Sequence, residues 1–326
     1  MLMTRPRRKG VPRVVAGLAL TLLVCPPGAT GQGFEDEAAF LTAPMGARIV
    51  GIGRAAVSIR GEVQGTPWNP ATLAGINSVE PLASHYDGPL DFKFNYLAVA
   101  VPAGKVGVFS FAANVQSFGE ISISDGLGTT LGTVTPGNLI VTLSYGREIL
   151  PRFALGVSGK WIRSELSGDL TGDTYAFDAG LLWRPWRAAP LDLGASLVNL
   201  GPDLRMGDGP NAGGSPLPGR LRFGASYDLL EHLVRPDGSL GLLIAVDVEH
   251  ALRDLGTGSQ FVGAELGIAG VLFLRGGYIA ETLIETNSGA TLGLGLAIGP
   301  ARFDLARELG VNQLGDETHI SLTARL

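Results

Sequence analysis

From about Val79 to the C-terminus the chain repeats one pattern: roughly eight to eleven residues of alternating apolar and polar character, then a few Gly, Pro, Asn or Asp. In 240–250, Leu242, Ile244, Val246 and Val248 share one face, and Gly241, Ala245, Asp247 and Glu249 share the other. In 290–298, Leu292, Leu294, Leu296 and Ile298 alternate with Thr291, Gly293, Gly295 and Ala297. In 319–326, Ile320, Leu322, Ala324 and Leu326 alternate with His319, Ser321, Thr323 and Arg325. Stretches 138–147, 152–163, 174–184 and 220–228 follow the same rule. A period of two places successive side chains on opposite faces of a strand. About fourteen such segments fit in the chain.

Alternation also describes a soluble sandwich, and three features separate the two. The segments approach the 9–11 residues that a tilted membrane strand needs, whereas soluble strands average about 5–6. Their polar face carries small residues and isolated charges of both signs: Lys160, Asp178, Arg222, Asp247, Glu249, Glu265, Arg275, Arg302 and Asp304. Such charges suit a lumen wall, with ion pairs among them. Aromatics fall near segment ends, as Tyr145, Trp161, Tyr175, Trp183, Tyr227 and Tyr278 do, in the manner of interfacial girdles. Connections tend to alternate short and long. Ala103-Gly104, 148–151, 185–190, Ala269-Gly270 and Gly299-Pro300 are short; 117–137, 164–172, 201–218, 251–257, 281–288 and 308–316 are mostly longer; 229–238 breaks the rule mildly. The expectation is an all-β chain: a transmembrane antiparallel β-barrel of about fourteen strands in a bacterial outer membrane, with both termini periplasmic. On that reading a charge at Ile244 faces lipid and is costly, and one at Ala245 is milder if the lumen is roomy.

Composition agrees. Charged residues make up 17% of the 326, below the roughly 25% of soluble domains, and 48 are Gly. Beyond the N-terminus no run is long and apolar enough for a membrane helix. The net charge of −5 and the lack of basic runs give no nucleic-acid partner. Arg5, Arg7, Arg8, Lys9 and Arg13, then apolar 14–24, then Ala29-Thr30-Gly31, have the order of a signal peptide over 1–31. The single cysteine, Cys25, falls inside it, leaving a mature chain without thiol chemistry.

Residues 32–77 differ from the rest: Gly- and Pro-rich, without sustained alternation. Placed ahead of a barrel at 78–326, they are expected to form a plug-like segment in the lumen. Asn69-Pro70-Ala71 suits a helix start, with Asn as cap and Pro at the first helical position. Asn69 and Arg48 are expected to hydrogen-bond wall charges such as Asp247 or Glu265. Gly51-Ile52-Gly53 after Arg48-Ile49-Val50 imitates a dinucleotide fingerprint, but no βαβ pattern follows.

Gly46-Ala47-Arg48, Gly51-Ile52-Gly53-Arg54-Ala55 and Trp68-Asn69-Pro70-Ala71 resemble the opening of the PorV/PorQ family of outer-membrane proteins, and 304–306 with 318–322 resemble its last strands. That family is similar to FadL-type transporters. The resemblance implies one of two roles: a passive channel for hydrophobic small molecules, or an accessory of type IX protein secretion whose partners are secreted proteins and other secretion components. Membrane lipid surrounds the chain in either case. Neither an enzyme nor a cofactor is expected. No Gly-x-Ser-x-Gly or His-Glu-x-x-His occurs. The histidines, His85, His232, His250 and His319, are scattered, so no metal site is assigned.

Overall fold

The structure is a computed structural model that describes residues 38–88, 91–124, 130–167, 170–187, 189–207, 214–230, 240–280, 288–311 and 315–326. The expected signal peptide lies outside the described residues. In chain order the strands are β1 Glu80–Asp87, β2 Lys93–Pro102, β3 Val108–Ser117, β4 Ile121–Ser124, β5 Thr130–Val134, β6 Gly137–Leu150, β7 Phe153–Ser167, β8 Leu170–Trp183 and β9 Leu191–Leu200. They continue as β10 Leu204–Arg205, β11 Gly214–Ser215, β12 Arg220–Asp228, β13 Leu240–Ala251, β14 Asp254–Ile268, β15 Leu272–Ala280, β16 Gly289–Ile298, β17 Ala301–Leu309 and β18 Glu317–Ala324.

Fourteen of these close into one antiparallel barrel, each paired with its neighbour, and β18 returns to β1 from Leu82↔Thr323 to Asp87↔Thr318. Closure leaves no unpaired edge, the condition for a sheet in hydrocarbon. The outward face is apolar. On β16, Leu292, Leu294, Leu296 and Ile298 are exposed, while Thr291 before them and Gly295 between them are buried. Leu143, Val157, Phe177, Phe223, Ile244, Val246, Phe303 and Leu322 continue that band around the wall. Trp161, Tyr175, Trp183 and Tyr278 join it as outward aromatics. A continuous exposed surface of this size would aggregate in water and is at home in lipid.

Several connections differ from expectation. Most of the supposed loop 164–172 is strand, because β7 runs to Ser167 and β8 starts at Leu170, and the span 201–218 contains a short hairpin, β10 paired with β11. The supposed loop 251–257 is a turn at Leu252-Arg253, because β14 already starts at Asp254 and a bulge between His250 and Ala251 absorbs the register shift. The span 117–137 contains a hairpin, β4 paired with β5, which stands apart from the barrel sheet. Its Thr-, Ser- and Ile-rich sequence is strand-forming, and the hairpin is largely exposed on both faces.

The chain ahead of β1 is not strand. It forms a short α-helix, α1 Ala47–Gly51, and 3-10 turns at Ala39–Thr42, Val63–Gly65 and Pro70–Leu73. Most of residues 47–76 are buried. They pack on the inward face of the barrel. α1 lies on β15 to β18, the turn at Val63 on β1 and β2, and the turn at Pro70 on β3 and β6 to β8. The connecting residues reach β9, β12, β13 and β14. This one segment therefore touches all fourteen strands.

Candidate functional site

The seam between residues 38–76 and the wall is the most chemically built part of the molecule. Close approach comes first. Gly156, Gly180, Gly194, Gly224, Gly263 and Gly277 present bare backbone at inward positions, and a Cβ on any of them would collide with the segment or with the side chains that hold it. Gly156 faces Pro70 and Ala71, Gly180 faces Asn69, Gly194 faces Val57, and Gly263 faces Ile52. The segment reciprocates at Gly53, whose φ of +68° and whose contact with Val262 and Tyr278 backbone both exclude a side chain. Gly46 sits at φ +83° against Gln64. Gly51 lies on Gly293, and Thr291 Oγ1 ties the two ends of this stretch, accepting from Gly53 N at 3.0 Å and donating to Gly51 O at 3.1 Å.

Asn69 caps the Pro70–Leu73 turn: its Oδ1 accepts from Ala71 N at 2.9 Å, and Pro70 occupies the first position. Its Nδ2 donates to Val57 O at 2.6 Å and to Leu181 O of β8 at 3.1 Å. Asn69 therefore reads wall backbone rather than a wall charge, because Gly180 brings the β8 backbone within reach. Asp247 is occupied otherwise. Its Oδ2 accepts from Ala56 N at 2.8 Å and Val57 N at 3.0 Å.

Arg48 enters a closed ring of six alternating charges. Its guanidinium donates to Glu265 at 2.7 and 2.8 Å and to Glu62. Glu265 accepts from Arg275 at 2.6 Å, Arg275 meets Asp304 at 2.9 Å, Asp304 accepts from Arg302 at 3.0 Å, and Arg302 returns to Glu62 at 3.1 Å. Three cations and three anions make the ring neutral. Arg48 and Glu62 belong to the segment; the other four belong to β14, β15 and β17. Gln64 stitches the same region, donating to Asp304 and to Thr323 at 3.1 Å each.

Other anchors surround this ring. Arg222 of β12 donates to Glu249 at 2.8 Å and to Arg54 O at 2.9 Å, and its guanidinium lies over Phe261 at 4.0 Å and Trp68 at 4.8 Å. Arg54 grips Glu308 with two bonds of 2.8 and 2.6 Å. Arg60 lies 3.6 Å from Asp192. Lys160 and Asp178 pair at 2.8 Å within the wall, and Lys160 also reaches Asn199 at 2.7 Å. At the long-loop end, Tyr86 stacks on Phe94 at 4.3 Å, and Phe118 meets both Phe94 and Phe92 edge-on.

Searches for similar proteins give one kind of answer. No family model matches, and no curated protein matches. Solved structures do. The toluene transporter TbuX of Ralstonia pickettii aligns with a TM-score of 0.58 and 13% identity over 86% of this chain and 98% of its own. The CymD monoaromatic hydrocarbon channel aligns at 0.57 and 12%, over 86% and 97%. A Pseudomonas aeruginosa FadL homologue aligns at 0.50 and 12%, over 86% and 97%. The fold is that of the FadL-type hydrocarbon transporters. At these identities the likeness concerns the fold alone. The PorV/PorQ resemblance gains no support from any family match and rests on its motifs.

Within this FadL-type barrel, sequence reading named one side of the seam better than the other. The sequence offers Glu265 or Asp247 as candidate partners of Arg48 and gives Arg275, Arg302 and Asp304 only as wall charges; Glu62, Gln64 and Glu308 are not among its candidates, and Arg54 appears there only within a family motif. Glu62 and Arg54 carry one readable signal, charge inside a Gly-rich, otherwise apolar stretch; Gln64 is neutral and Glu308 lies on β17, so neither carries it.

Proposed function

We propose that the chain is an outer-membrane channel for the passive passage of hydrophobic small molecules, and that residues 38–76 close it at rest. The observation that carries this is the contact of one short segment with every strand of a closed barrel, so that a solute crossing the lumen must displace or skirt it. The fastening suits a gate. A neutral charge ring leaves no net field to hold ions, and its two segment members can leave together as a pair. The FadL-type fold, shared with proteins described as toluene and monoaromatic hydrocarbon transporters, supports the substrate class. So does the inward aromatic cluster of Tyr86, Phe94 and Phe118, which offers faces and edges to an apolar ring. On this reading the short-turn end, where β1 begins and β18 ends, faces the periplasm.

The test is uptake of the hydrophobic fluorophore N-phenylnaphthylamine by cells with an intact lipopolysaccharide leaflet. Expression of the chain is expected to raise the initial rate several-fold, and Arg48→Ala with Glu62→Ala to raise it further. Rates equal to those of non-expressing cells for both proteins, with the barrels shown to be folded, would remove the transport reading.

A further inference from the structure

Folding brings together three residues that are far from obvious as a set in the sequence. Glu308 ends β17; Glu317 and His319 open β18; the two strands pair as Glu308↔Glu317 and Ala306↔His319. One ligand atom from each lies within 4.8 Å of the other two. His319 Nε2 is 3.7 Å from Glu317 Oε2. All three side chains point inward, with Glu308 and His319 fully buried and Glu317 partly buried.

We propose that Glu308, Glu317 and His319 form a binding site for a divalent transition-metal ion of the zinc type. Two independent observations meet here. The first is the donor set itself: one imidazole and two carboxylates, a combination that zinc and its neighbours accept and that leaves a fourth position open. The second is the state of His319. Its ring is fully buried, yet neither ring nitrogen has a hydrogen-bond partner among the described residues. A buried imidazole without partners is costly, and a cation shared with two carboxylates relieves that cost.

The geometry needs little change. Two ligands on a tetrahedral zinc stand ~3.4 Å apart, given bonds of about 2.0–2.1 Å. The Nε2–Oε2 separation is already near that value. The remaining ligand atoms, all within 4.8 Å of one another, would have to close further on the ion. Arg54 does not block the site. It takes one lone pair from each oxygen of Glu308, and a carboxylate offers about four acceptor positions. A ligating carboxylate held by a further hydrogen bond is the usual outer arrangement of a metal site. Arg54, Glu308 and Glu317 together carry one net negative charge with His319 neutral, so a dication is electrostatically welcome. Tyr86, whose ring lies 4.3 Å from that of His319, fixes the imidazole plane. An ion here would stiffen the strand ends that Arg54 grips, and so bear on the segment without contacting it. The inference does not depend on what the barrel transports.

The experiment uses the full, untagged chain in detergent, stripped with chelator and titrated with Zn2+ by calorimetry and with Co2+ by visible d–d absorption. One equivalent of Zn2+ is expected, with a Co2+ band of tetrahedral intensity. His319→Asn and Glu317→Gln should each weaken binding by more than about tenfold, while His85→Asn, at an exposed position on β1, should not. Glu317→Gln is isosteric and partly exposed, so it keeps the test readable if His319→Asn does not fold. Stoichiometric uptake absent from the wild type, or undiminished in folded Glu317→Gln, would overturn the site.

Discussion

At the scale of single residues, the ring around Arg48 is held by pairs that cannot be dismantled one member at a time without cost. Arg48 and Glu62 are nearly buried, and each bridges two partners. Removing one member of a buried pair costs about 3–5 kcal/mol because the rest is left charged and unpaired. Arg48→Ala is therefore expected to destabilise the folded barrel by that order in urea titrations from lipid vesicles. The double variant Arg48→Ala with Glu62→Ala should cost less than the sum of the two single variants, since it leaves two anions and two cations on the wall. Additive penalties in that cycle would mean that the ring does not act as a unit. Steric fit gives a second residue-scale prediction. Gly180→Val places a side chain into Asn69, so it should loosen the segment, read as faster protease cleavage between 38 and 76, with little change in strand content by circular dichroism. Arg48 was readable as a candidate because an arginine stands out in a Gly-rich stretch. Of its partners, Glu265 is legible only as one of several candidate wall charges, because it lies 217 positions away and nothing local singles it out.

Elements were more legible, and the reason is period. A strand with lipid on one side repeats every two residues, so β13, β16 and β18 announce themselves in the sequence. The β4–β5 hairpin keeps a short alternation, Ile121-Ser122-Ile123-Ser124, but lies within a stretch expected to be a longer loop, and both of its faces are exposed. The inward face was misjudged in one respect. Ala245 lies in a packed cluster with Ala55, Phe261, Ile279 and Val311, not beside open lumen, because the segment fills the space there. Ile244→Arg, on the exposed face of the same strand, is expected to cost about 2–4 kcal/mol in vesicle folding titrations. Ala245→Arg should cost at least as much, since it must expel Ala55 or bury an unpaired guanidinium. A smaller penalty at Ala245 than at Ile244 would show that the lumen is roomier than the packing indicates.

For the whole molecule, the sequence pattern gave the barrel class and its strand number, because a closed sheet needs only alternation and turns. Where the segment ahead of β1 packs was not legible residue by residue, since its contacts with the wall are set by three-dimensional closure. Deleting residues 38–76 is expected to leave the outward band and the strand ladder intact and to raise single-channel conductance in planar bilayers. Unchanged conductance from a folded deletion barrel would remove the gating role. The position of that segment also sets an order of events. It precedes β1 in the chain, yet Arg54 meets Glu308 across 254 positions, and Ser321 meets Gln64 across 257. The first part of the chain to emerge must wait for the last strands before its charges find partners, and β1 must pair with β18 around it. Contacts so distant in sequence form late and slowly. On the proposed reading, in which residues 38–76 close the lumen, the barrel has to be sealed around its contents like a ship built inside its bottle. A chain whose segment arrives after closure has no side entrance, so added Gly46–Ile76 peptide should fail to restore slow conductance to a preformed deletion barrel, but should succeed when the two are folded together.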